Sequence, residues 1–118
     1  MNYILLIYAD ESEWTRKTEA EMAPIMEQHE QLERDLRKAG DYRGCGGLAP
    51  TAAATTVRFK NGKRLISDGP YAETKEQFGG YYVIEATSLD DAIEIASRIP
   101  FAARGGVEIR PVLDLRLP

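Results

Sequence analysis

The chain holds one cysteine, one histidine and one tryptophan in 118 residues. A single cysteine excludes an internal disulfide framework and makes a cytoplasmic location the expected one. One histidine and one cysteine cannot supply the four nitrogen and sulfur ligands of a structural zinc site within a monomer. Carboxylates are plentiful, but no spacing among them demands a divalent cation, so neither a metal nor a cofactor is expected. No apolar run approaches the roughly 18–20 residues that span a bilayer, which argues against a membrane partner. The first apolar segment, Tyr3-Ile4-Leu5-Leu6-Ile7-Tyr8, is short, lacks a basic leader and ends at Asp10-Glu11. It reads as a strand rather than a signal peptide. Basic residues number 15 against 19 acidic ones, a formal net charge of −4, and they form no stripe. Nucleic acid is therefore not an expected partner.

What remains suits one domain over residues 1–118 with one core. Residues 2–8 are continuously apolar, the pattern of a strand buried on both faces. A helix follows, with Thr18 and Glu21 spaced as a capping box. Pro24 falls inside it and predicts a kink or restart. Ile25, Met26, Leu32, Leu36 and Ala39 keep helical spacing, Met22 extends the stripe backward, and Gly40 supplies the stop. Tyr42–Leu48 is a glycine-rich strand candidate.

Asn61-Gly62 between two strand-like runs predicts a type I′ hairpin pairing Val57 with Ile66 and Phe59 with Arg64. Val57, Phe59 and Ile66 then share a face, expected to be buried. Tyr81–Ala86 is a further apolar strand. Ser88 and Asp91 open a second helix whose expected stripe is Leu89, Ala92, Ile93, Ala96 and Ile99, with Pro100 as its end. Val107–Leu113 is the last strand, and Pro111 suits an edge. The order is β-α-β, an inserted hairpin, then β-α-β, which is an α+β, ferredoxin-like plan. Two helices cover only one face of such a sheet. A second copy is expected to cover the other, giving a homodimer.

Among groups that carry chemistry, His29 lies three residues from both Met26 and Leu32, on or beside the apolar face of its helix. A histidine there suits acid–base work, and equally suits a partly buried ring bonded to backbone. Asp68-Gly69-Pro70 is a turn by composition, and Asp68 is a candidate partner for His29. Tyr71, Glu73, Lys75 and Glu76 follow, in a loop expected to run to Gly79-Gly80, with that glycine pair as a hinge. The loop reads either as a polar wall over a small-molecule pocket or as charges facing water. Gly44-Cys45-Gly46-Gly47 lacks the Gly-Lys-Ser/Thr of a phosphate loop, and Cys45 is expected to be a small buried thiol. Arg43, Arg104 and Arg110 are candidate anion contacts.

The run Asp68-Gly69-Pro70-Tyr71-Ala72-Glu73-Thr74-Lys75-Glu76 resembles the motif of the DGPF domain proteins, a branch of the YCII-related family, with Tyr71 where the branch name has phenylalanine. The similarity extends from the first strand through Arg110-Pro111-Val112. It implies a dimeric α/β barrel of two ferredoxin-like protomers. It also implies a catalytic His–Asp pair, with His29 in Glu27-Gln28-His29 at the family's histidine position. Relatives outside the branch carry Asp-Pro near the end of the second helix, where this chain has Ile99-Pro100, so Asp68 or another acid must supply the carboxylate. A few relatives act on chlorinated aromatic substrates, and genes of the branch often neighbour extracytoplasmic-function sigma factors. Two readings follow: a small-molecule-binding dimer with His29 and Asp68 catalytic and Tyr71, Glu73 and Lys75 as pocket groups, or a non-enzymatic module associated with such a sigma factor.

Overall fold

The computed structural model describes residues 1–117. Four strands, β1 (Asn2–Ala9), β2 (Tyr42–Gly47), β5 (Gln77–Glu85) and β6 (Gly106–Pro111), form one antiparallel sheet in the order β2-β5-β1-β6. The hairpin strands β3 (Thr55–Lys60) and β4 (Lys63–Asp68) form a separate two-stranded sheet. Helices α1 (Ser12–Thr15), α2 (Glu19–Ala39) and α3 (Leu89–Ser97) complete the elements, with short 3₁₀ turns at Thr51–Ala53 and Pro100–Ala103. This is the α+β, ferredoxin-like arrangement, and the two most apolar strands, β1 and β5, are its central pair.

Alternation along the central strands defines the faces. Tyr3, Leu5, Ile7 and Ala9 of β1 are buried, as are Tyr82 and Ile84 of β5, and they meet Ile25, Leu32 and Leu36 of α2 and Ala92, Ile95 and Ala96 of α3 in one core. Ile4, Leu6 and Tyr8, with Tyr81 and Val83 opposite or beside them, stay partly exposed on the other face. Residues 2–8 are therefore not buried on both faces. The helices cover one side, and among the described residues no element covers the second.

Helix α2 is closed at both ends as its sequence implies. Thr18 Oγ1 accepts from the Glu21 amide at 3.1 Å while Glu21 Oε1 accepts from the Thr18 amide at 3.0 Å. Gly40 adopts φ 79°, a conformation that costs a Cβ-bearing residue more. The helix runs through Pro24 without a restart. Met26 is 46% exposed and does not join the buried stripe. On α3 the buried set is Ala92, Ile95 and Ala96, continued by Ile99, while Leu89 and Ile93 are exposed. The helix ends at Ser97, before Pro100, and its face is rotated from the expected one toward Ile95. Among the described residues no helix is long and apolar enough to cross a membrane.

The hairpin has the expected register, Val57 opposite Ile66 and Phe59 opposite Arg64, with Asn61 and Gly62 both at positive φ. Its expected burial is overturned. Val57 is 55% exposed, Phe59 72% and Ile66 59%, because the hairpin leaves the body as an arm instead of joining the main sheet.

Candidate functional site

The polar loop is shorter than its composition suggests. Asp68 ends β4 and Gln77–Gly80 open β5, so residues 69–76 alone connect the strands. Gly79-Gly80 is consequently no hinge. A Cβ on Gly79 would lie 2.6 Å from the Trp14 ring, and one on Gly80 would lie 3.0 Å from the Gly46 carbonyl oxygen. Gly47 pairs with Gly80 and Gly46 with Tyr81 across β2 and β5. Both glycine runs thus meet, and the sheet there carries almost no side chains. No helical turn forms at Thr74; its hydroxyl donates to the Glu76 carbonyl at 2.6 Å, and Gln77 Nε2 donates to the Thr74 carbonyl.

The missing side chains leave a cavity of ≈ 300 Å³ between α2, the Trp14 turn and this glycine floor. Ile7, Trp14, Met26 and Phe101 supply apolar wall, and His29, Tyr82, Glu30, Glu33 and Cys45 supply polar groups. The chain's single histidine, tryptophan and cysteine therefore line the same cavity. Trp14 and Phe101 meet edge to face with ring centroids 5.7 Å apart, and Phe101 lies 5.7 Å from the His29 ring. Such aromatic packing fixes the imidazole against a rigid wall.

His29 Nδ1 is 2.8 Å from Tyr82 Oη. Burial pushes the imidazole pKa below its ordinary value and pushes the Tyr82 phenol up, so both groups favour their neutral forms. A neutral imidazole has one donor and one acceptor nitrogen. With Nδ1 engaged by Tyr82, Nε2 keeps no protein partner among the described residues and is available to a ligand.

Beside this pair, Cys45 Sγ donates to Glu33 Oε1 at 3.3 Å and accepts from Tyr42 Oη at 3.2 Å. Arg37 Nε holds the other Glu33 oxygen at 3.1 Å and covers the Tyr42 ring at 4.2 Å. The Cys45 and Arg37 hydrogen bonds lower the Glu33 pKa, burial raises that of Cys45, and burial pushes Tyr42 up to about 12. Cys45 is thus an exposed thiol in a network, not the small buried thiol expected, and not a thiolate nucleophile.

Asp68 is not brought to His29. It is exposed at the end of β4, opposite Thr55, and does not line the cavity. Tyr71 lines a second cavity with Tyr8, Thr51, Pro70 and Phe78, at the root of the arm. Glu73 and Lys75 are exposed and line neither. Arg104 pairs with Glu13, Arg110 with Glu108, and Arg43 donates to the Gly40 and Tyr42 carbonyls. No group of three or more His, Cys, Asp or Glu side chains is arranged to hold a metal ion among the described residues.

Sequence reasoning overlooked Tyr82. One signal was available: a tyrosine on the inward face of a central strand must place its hydroxyl against a partner. Trp14 and Phe101 lie outside the periodic segments, and no pattern marked them.

The description "YCII-related domain" matches residues 1–116. An uncharacterised protein of Rhizobium meliloti (strain 1021) is 37% identical over 114 residues, covering 95% of this chain and 92% of that protein. The uncharacterised protein YjpA of Bacillus subtilis (strain 168) is 42% identical over 52 residues, covering 44% of this chain and 58% of YjpA.

Proposed function

The chain belongs to the YCII-related domain family, and from that premise we propose that it binds a small, neutral, ring-bearing molecule in the cavity beside His29. His29 is the acid–base group of this reading and Tyr82, rather than Asp68, orients it. The observation that carries the reading is the 2.8 Å contact between His29 Nδ1 and Tyr82 Oη at an apolar cavity. Aromatic walls favour a flat ligand, and the imidazole Nε2 gives it one polar anchor. Glu30 and Glu33 at the same cavity disfavour an anion by like-charge repulsion. A neutral imidazole beside a protonated phenol can accept or return a proton without first shedding one to solvent.

The same reading makes the protein a homodimer. Ile4, Leu6, Tyr8, Tyr81 and Val83 form a partly exposed apolar sheet face that a second copy would cover. A module that engages a sigma factor would instead use a surface such as the exposed hairpin, and cavity variants would leave that association unchanged.

Calorimetry with phenol as the probe tests the assignment. His29→Ala and Tyr82→Phe are expected to weaken binding by about tenfold each, the scale of one lost hydrogen bond. Glu73→Gln and Lys75→Ala are expected to leave it unchanged. Equal affinity in all four variants would sink the cavity reading.

A further inference from the structure

The arm formed by β3 and β4 is two-sided. On one side Thr56 Oγ1 donates to the Gly69 carbonyl at 2.8 Å and the Arg58 guanidinium lies 4.3 Å over the Tyr71 ring, so this side turns to its own chain. The register puts Val57, Ile66 and Phe59 on the other side, all more than half exposed. An isolated two-stranded hairpin is marginal in water and needs packing on one face. Here the apolar face is the one left without cover.

Charge indicates what covers it. Arg58, Lys60, Lys63 and Arg64 against Asp68 give the arm a net +3, while the chain totals −4, so the remainder carries −7. One chain thus combines a basic apolar arm with an acidic body whose sheet face is also uncovered. The shape agrees: the radius of gyration is 15.9 Å, against about 13.5 Å for a compact chain of this length.

We propose that the arm docks on the body of a second copy, its Val57–Phe59–Ile66 side packed against the partner and Arg64, the basic residue that the register puts on that same side, set against the partner's acidic surface. The inference rests on the homodimer reading and adds to it a second, reciprocal contact outside the sheet faces. Each copy gives one arm and receives one, as two-fold symmetry requires.

The test uses the full chain carrying a photoreactive phenylalanine analogue at position 59. Irradiation is expected to give a covalent dimer, with the cross-link mapping to the partner's body. In sedimentation equilibrium, the double variant Phe59→Ser with Ile66→Thr is expected to weaken dimerisation about tenfold with an unchanged circular dichroism spectrum. Arg64→Glu is expected to weaken it too, and added salt to weaken the wild type more than Arg64→Glu. An unchanged dimer constant in these variants, with no cross-link between copies, overturns the arm contact and leaves the homodimer standing. Cross-linking of position 59 to a different protein in place of a second copy also overturns it. A wild-type chain that is monomeric at micromolar concentration removes the homodimer itself.

Discussion

His29 has its pKa lowered by burial, so its neutral form belongs to the folded state. The unfolded chain binds the proton more readily from its ordinary value of 6.5 downward, and stability rises with pH wherever that is so. The contribution is complete above pH 6.5 and is lost as pH falls through the lower folded value. Denaturant titrations are expected to show stability falling as pH drops below 6.5 toward the lowered folded value, and His29→Gln is expected to flatten that fall. An equally sloping His29→Gln profile would contradict the assignment. Gly79→Ala drives a methyl into the Trp14 ring and is expected to cost about 1–3 kcal/mol, with a changed Trp14 fluorescence spectrum. At this scale His29 was legible because helical spacing placed it beside apolar residues. Asp68 was paired with His29 on a shared motif, which carries no distance, and Tyr82 lay within Tyr81–Ile84, where every residue is apolar or aromatic.

Among the elements, α2 carries the cavity wall and its start depends on the capping box. Thr18→Ala is expected to cost about 1 kcal/mol in thermal unfolding, since the Glu21 amide loses its side-chain acceptor while the residue-18 amide keeps its bond to the Glu21 carboxylate. Pro24 interrupts the helix ladder without ending the helix, so Pro24→Ala is expected to stabilise the chain. An unaltered or lower midpoint would mean that the proline ring packs where it lies. Element order, hairpin register and helix caps were all legible, because each is written within a few neighbouring residues. Burial was not. The pattern Val57, Phe59, Ile66 tells which side chains share a face, and it is silent on whether anything covers that face. The same limit made Leu89 and Ile93 look buried, and it turned the two glycine runs into a hinge and a rejected phosphate loop. They make a cavity floor only because β2 and β5 bring them side by side.

For the whole molecule, the ferredoxin-like sheet leaves one apolar face open, and the resemblance noted in the sequence bears on the same face. Leu6 sits near its centre, opposite Tyr81. Leu6→Glu is expected to give a monomer in sedimentation equilibrium, since a buried unpaired charge is costly. A dimer of undiminished affinity would place the interface elsewhere. Scarcity in the sequence becomes useful here. The one histidine and the one tryptophan line one cavity, so each gives a signal that no other residue can imitate. The measurement that bears most directly on the cavity as the binding site is a titration of the wild-type chain with phenol, following Trp14 fluorescence and the His29 ring nitrogen resonances together. The expected result is saturable changes in both with one shared dissociation constant, and in Tyr82→Phe a shared constant about tenfold weaker. Phenol that binds without moving the His29 resonances, or that moves neither signal at saturating concentration, would contradict it.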